Sequence, residues 1–211
     1  MSPLESLGFA LGAAFASGLN LYATVATLGL LHRLDVLDLP ANLEVLANPL
    51  VLGIAVFLYA VEFVADKIPY LDTVWDVVHT FIRPPAAALL AWAAIAPSGF
   101  GPGGDGEAWR LAAALLAGGL ALTSHGAKAS ARAGANTSPE PVSNWLLSLF
   151  EDGLAIGITW MAISYPLVTL AVVAVLAAAC IYLIVKLFGM LCRALARMRS
   201  QRPPVPSAGK P

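Results

Sequence analysis

EFVADKIPYLDTVWDVVHTFIR, residues 62–83, is the stretch on which the fold turns. Asp72, Asp76, His79 and Arg83 recur at i, i+4, i+7 and i+11, the spacing that gathers side chains on one face of an α-helix. Val74, Val77, Val78, Phe81 and Ile82 form an apolar remainder suited to lipid or to other helices. Glu62, Asp66 and Lys67 precede them across Pro69. A charged face on an otherwise lipid-compatible helix reads as a buried polar path.

Composition sets the surroundings of that path. The chain has 211 residues, 59% hydrophobic and 12% charged, with a mean hydropathy of +0.78, whereas soluble domains carry about 25% charged residues. Spans of about 20 apolar residues leave room for at most about six, so the expectation is an all-α polytopic transmembrane bundle. It forms one domain over residues 1–200, with 201–211 (QRPPVPSAGKP) a disordered cytoplasmic tail. The lipid bilayer is the expected partner. Nucleic acid is not, because no basic cluster is interleaved with aromatics. Cys180 and Cys192 stand 12 positions apart without a CxxC spacing and read as free, buried thiols. Glu5 precedes the first apolar run with no Lys or Arg before it, so that run lacks the basic n-region of a cleaved signal peptide.

Residues 4–32 exceed a bilayer core in length and contain Ser17, Gly18 and Asn20 in the order SGLN. The run is either one long tilted helix with small packing residues, the simpler reading, or a helix broken at SGLN. A break would have to satisfy its backbone groups inside protein, and broken helices often line substrate sites. His32 to Asn48 is a polar connection, and Pro49 to Ala65 a second span. From Leu71 the charged-face helix runs to Arg83, where Pro84 and Pro85 predict a kink or break. Ala86 to Ala96 continues it, and SGFGPGGDGE is a glycine-rich connector.

Ala108 to Thr123 is a further span. A second polar stripe follows, with His125, Lys128, Arg132 and Asn136 at i, i+3, i+7 and i+11. NTSPEPVSN marks a turn. Val142 to Ser164 is the next span, with Asn144, Ser148, Glu151 and Asp152 on roughly one face and a GxxxG spacing at Gly153 and Gly157 that allows close helix approach. Pro166 to about Leu191 is the last. Lys186, Arg193, Arg197, Arg199, Arg202 and Lys210 crowd the C-terminal end and place it in the cytoplasm, and six spans bring the N-terminus to the same side.

Spans two and three can be laid over spans four and five as a parallel internal repeat, with Arg83 opposite Asp152. Arg83 lies beyond Pro69, and Glu151 and Asp152 beyond Pro141, by distances that put both roughly 15 to 20 Å into the membrane. A lone charge there costs at least about 2.5 to 3.5 kcal/mol. Pairing of Arg83 with Glu151 or Asp152 is therefore the cheapest expectation, leaving one carboxylate for a cation or proton.

EFVADKIPYLDTVWDVVHTFIRP, HGAKASARAGANTSPEPVSN and the ED of FEDG together resemble a family of mostly bacterial membrane proteins catalogued as domain of unknown function 4126. The resemblance covers about residues 5 to 195. It implies a polytopic inner-membrane protein and brings no activity, substrate or catalytic residue.

Function must come from the residues. The expected ion or substrate path comprises Glu62, Asp66, Asp76, His79, Arg83, His125, Lys128, Arg132, Asn144, Glu151 and Asp152, with the candidate helix break at Ser17, Gly18 and Asn20. An intramembrane acid is a functional candidate by default, and His79 and His125 are candidate proton carriers. Lys67 and Asp72 belong to the interface. No HxxxH or HExxH spacing suggests a metal, and no cofactor or catalytic residue is assigned. A transporter or channel for a small ion or solute is the leading expectation. An intramembrane enzyme or flippase handling a phospholipid or polyprenyl phosphate, with Arg83, Lys128 and Arg132 on the phosphate of that anionic lipid headgroup, is the second, and a scaffold with packing pairs only is the third. Oligomeric state is not legible.

Overall fold

Large apolar side chains face outward in this protein and charged ones face inward. Phe81 is 78% exposed and Leu50 72%, while Glu62 and Arg83 are fully buried. That inversion of the soluble pattern is what a hydrocarbon surrounding selects. The computed structural model describes residues 1–68, 70–96, 106–136 and 141–200. The tail at 201–211, the glycine-rich connector apart from its last two residues, and the proline turn at 137–140 lie outside them.

The described residues are helical: α1 (Pro3–Leu19), α2 (Leu21–Arg33), a 3-10 helix (Ala41–Ala47), α3 (Pro49–Ala65), α4 (Leu71–Ala94), α5 (Gly106–Ala135), α6 (Pro141–Ser164) and α7 (Pro166–Ser200). By length and composition α4, α6 and α7 can each cross a membrane, and the 3-10 helix with α3, bent by 64°, makes a fourth candidate. These are the apolar helices of a membrane protein. The count falls short of the expected six because α1 and α2 are separate short helices and α5 carries its own charged stripe.

α1 is the hub, packed on α4, α5, α6 and α7. Every residue from Gly8 to Leu19 is buried, as expected of a helix apolar on all sides. Its small residues let neighbours approach. At Gly18 a Cβ would run into Ser124 Oγ and the Ala121 carbonyl of α5, so only glycine fits.

Four sequence expectations change here. The first apolar run is broken: α1 ends at Leu19, Asn20 is extended (φ −151°, ψ 103°), and α2 begins at Leu21. The pair Pro84–Pro85 does not break α4, which runs through both, as prolines can in a membrane helix whose neighbours re-satisfy the freed groups. Gly153 and Gly157 meet no atom within 4 Å of a built Cβ, so the GxxxG face of α6 is not a close contact within the described chain. Cys180 is half-buried and Cys192 exposed, both free.

Candidate functional site

The break between α1 and α2 creates the centre of the site. A helix end leaves its last carbonyls without partners, and here cationic side chains take them. Arg83 Nη1 donates to Gly18 O at 2.8 Å and Leu19 O at 3.0 Å. Lys128 Nζ donates to Leu19 O at 2.9 Å. Positive charge at a helix C-terminus also complements the helix dipole. Asn20 then starts α2: its Oδ1 accepts from Ala23 N at 2.9 Å, and its Nδ2 donates to Asp152 Oδ1 at 2.9 Å. One residue thus caps a helix and ties it to α6.

Around the break runs a closed chain of ion pairs. Arg83 Nη2 meets Glu62 Oε1 at 2.5 Å. Lys128 Nζ lies 3.1 Å from both Glu62 Oε1 and Asp66 Oδ2, and 3.7 Å from Glu151 Oε2. Arg132 Nη2 holds Asp66 Oδ2 at 2.7 Å and also pairs with Glu151. The side chains involved are 0–5% exposed. Glu62 and Asp66 stand one helical turn apart at the end of α3, Lys128 and Arg132 one turn apart on α5, so two stripes of opposite charge face each other.

Arg83 therefore pairs with Glu62, not with Glu151 or Asp152 as expected from depth. Glu151 is engaged by Arg132 and Asp152 by Asn20. Asp66 joins Lys128 and Arg132. Lys67, outside the helices, donates to Phe63 O at 2.9 Å and Ser148 Oγ at 3.3 Å and sits over the Phe63 ring. Burial pushes its ammonium below the ordinary lysine range, opposed by Asp152 and Asp66. Asp72 is not at an open interface: it is fully buried and its two oxygens take Asn136 Nδ2, each at 3.0 Å.

The histidines are fixed by geometry. Arginine can only donate, so the 2.9 Å contact of Arg83 Nη1 makes His125 Nδ1 an acceptor and leaves the proton on Nε2. Nε2 then donates toward Asp76 O and Thr80 Oγ1, both at 3.0 Å. A second proton on His125 would face the guanidinium, which removes it as a free proton carrier while Arg83 is in place. His79 lies near enough to Arg83, Glu62 and Lys128 to feel their charge but bonds elsewhere, its Nδ1 2.8 Å from Trp75 O and its Nε2 3.1 Å from the Tyr22 hydroxyl. Asn144 is also apart, donating to Asn136 Oδ1 at 3.0 Å. Ser17 is fully buried and its hydroxyl has no hydrogen-bond partner among the described residues.

Charges do not balance within this interior. Among the described residues the buried cations are Arg83, Lys128 and Arg132, with Lys67 near enough to Asp152 and Asp66 to add a fourth; the buried carboxylates are Glu62, Asp66, Asp72, Asp76, Glu151 and Asp152, all at most 4% exposed. Asp76 is near enough to Lys128, Arg132 and Arg83 to feel their charge, yet neither of its oxygens has a hydrogen-bond partner among the described residues. Among the described residues no group of three His, Cys, Asp or Glu side chains is placed to hold a metal ion. A separate apolar pocket of about 410 Å³ lies between α2, the 3-10 helix, α3 and α4, lined by Tyr22, Leu46, Ile54, Leu58 and Leu89 among others, and contains no charged side chain.

Sequence reasoning missed the role of the Gly18 and Leu19 carbonyls, which carry no side-chain signal. It also missed Thr24 and Thr159, single hydroxyls in apolar runs.

Fold and site together define a class: an all-helical membrane protein whose interior holds a closed ion-pair network around a broken helix. The family described as Domain of unknown function (DUF4126) matches residues 7–186, and the chain belongs to it. No curated protein and no solved structure matches the chain.

Proposed function

We propose that this protein moves a small cation or proton across the bacterial inner membrane, and that its occluded form is the one described above. The observation that carries the reading is the surplus of buried carboxylate beside a helix break. Six buried carboxylates face the three buried cations and Lys67, and one of them, Asp152, is tied to Asn20 where the backbone is interrupted. Uncompensated charge inside a bilayer is costly. A network kept only for stability has no use for two further carboxylates, whereas a transporter needs sites that a cation can fill and leave.

In this reading the membrane is crossed six times, by α1 with α2 as one broken span and by α3, α4, α5, α6 and α7. Both termini are cytoplasmic, in keeping with the basic end of α7. α3–α4 and α5–α6 form the internal repeat, the first helix of each ending in an i, i+4 charge pair, Glu62/Asp66 and Lys128/Arg132. Residues 1–200 act as one domain.

A structural clamp is the second reading, favoured by one observation: the paired side chains are 0–5% exposed. Purified protein in liposomes separates the two. With an imposed membrane potential and a cation- or pH-sensitive dye inside, the wild type carries flux, and Asp152→Asn lowers it at least about tenfold, the equivalent of about 1.4 kcal/mol on the barrier, while remaining folded. Flux at the empty-liposome rate for the wild type, or full flux in Asp152→Asn, leaves the clamp as the account.

A further inference from the structure

The buried carboxylates are not alike in what they bond. Glu62 accepts from Arg83 and Lys128, Asp66 from Lys128 and Arg132, and Glu151 from Arg132. Asp152 accepts from Asn20 Nδ2, and Asp72 from Asn136 Nδ2 and the Thr73 backbone. Asp76 is the exception: it is 3% exposed, and among the described residues neither of its oxygens accepts a hydrogen bond. The donors beside it go to its backbone instead, where the Thr80 hydroxyl and His125 Nε2 reach Asp76 O at 2.9 and 3.0 Å.

An ionised carboxylate is an acceptor only, with about four lone-pair positions to fill. Burying one with none of them filled is the costly case, and a group so placed is neutralised instead. The surrounding charges do not neutralise it. Arg83, Lys128, Arg132 and Asp66 are near enough to act on Asp76, but the three cations are already matched by Glu62, Asp66 and Glu151. On α4 itself Asp72 and His79 lie one turn to either side, and α2 brings only Tyr22, bonded to His79. α1 has no titratable side chain from Gly8 to Leu19, and Glu44 of the 3-10 helix is exposed.

Ligand count decides between a metal ion and a proton. Hard metal cations such as calcium and magnesium gather about six or more oxygens, and among the described residues no three His, Cys, Asp or Glu side chains stand together to begin such a shell. A proton needs one oxygen. We propose that Asp76 is the proton-binding site of this interior: an O–H bond forms on its carboxyl group as the proton arrives and breaks as it leaves, while the paired carboxylates around it stay charged. The site rests on the transport reading for its role and deepens it by naming the ion as a proton, but binding itself does not require flux.

The test uses the full chain in liposomes, with infrared difference spectra taken between alkaline and acidic buffer. The wild type shows the carbonyl band of a carboxylic acid shielded from water, and Asp76→Asn loses it. Glu44→Gln, which removes an exposed carboxylate, keeps it. Where the asparagine variant fails to fold, Asp76→Glu decides, since it keeps an acid but moves the band. Stability gives a second readout: a folded state that holds a proton its unfolded chain releases is weakened as pH rises. The unfolding temperature of the wild type in detergent therefore falls relative to Asp76→Asn as the buffer is made more alkaline. A band unchanged in both Asp76 variants, or parallel unfolding curves against pH, overturns the site. So does a band that sodium or calcium chloride displaces at constant pH and ionic strength, because a metal ion then holds the same carboxylate. An Asp76-dependent band without liposome flux keeps the site and removes transport; cation flux without such a band does the reverse.

Discussion

Arg83→Ala loses about 3–5 kcal/mol of stability, because breaking a buried pair by removing one partner strands the other charge. Glu62 keeps only Lys128, and the Gly18 carbonyl loses the donor at 2.8 Å that closes the end of α1. His125 Nδ1 is released as well. A loss of this size is a large part of a typical folding free energy of about 5–15 kcal/mol, so the variant unfolds at a much lower temperature than the wild type. The partner is identified by rescue. Arg83→Met combined with Glu62→Gln recovers more than half of the loss, since neither charge is then stranded, whereas Arg83→Met with Asp152→Asn recovers none. Thermal unfolding in detergent, arranged as a double-mutant cycle, reads this directly. Rescue by Asp152→Asn and not by Glu62→Gln restores the pairing expected from depth and refutes the geometry.

Gly18→Val strikes the same point through packing. A side chain here has no room: its first carbon would enter the space of Ser124 Oγ and the Ala121 backbone, and backbone cannot rotate away. Overpacking of this kind costs about 1–3 kcal/mol by itself. It also moves the carbonyls of Gly18 and Leu19 off Arg83 and Lys128, so the packing loss and the electrostatic loss act together. The expected result is no stable monodisperse protein. Gly153→Ala is the comparison, since nothing lies within 4 Å of its built Cβ; it gains up to about 1 kcal/mol from helix propensity. Equal behaviour of the two variants contradicts close approach of α1 and α5.

Periodicity in the sequence exposes the charged faces, because a helix repeats every 3.6 residues whatever surrounds it. Asp72, Asp76, His79 and Arg83 do share a buried face of α4, and His125, Lys128 and Arg132 one of α5. SGLN likewise marks the place where the first run breaks, since asparagine both tolerates extended backbone and caps the next helix. Partner choice is a different matter. Counting residues from a proline fixes depth along the membrane normal but not direction around the bundle axis. Glu62 lies on the neighbour that reaches Arg83, while Glu151 faces Arg132. The proline pair in α4 leaves a kink or a break open from local propensity, and the helix runs through both prolines without the break.

Asp76 gives the sharpest test of whether the buried charge serves function. It is 3% exposed with no hydrogen bond to either oxygen among the described residues, so its charge is a burden on the folded state. Asp76→Asn is nearly the same shape without that charge. The measurement is made on one preparation: unfolding temperature in detergent, and cation or proton flux after reconstitution. A cation-conducting role predicts a gain of about 1 kcal/mol, seen as a rise of about 2–4 °C for a chain of this size, together with loss of flux. A fall in unfolding temperature with flux unchanged would contradict it and make Asp76 a structural charge.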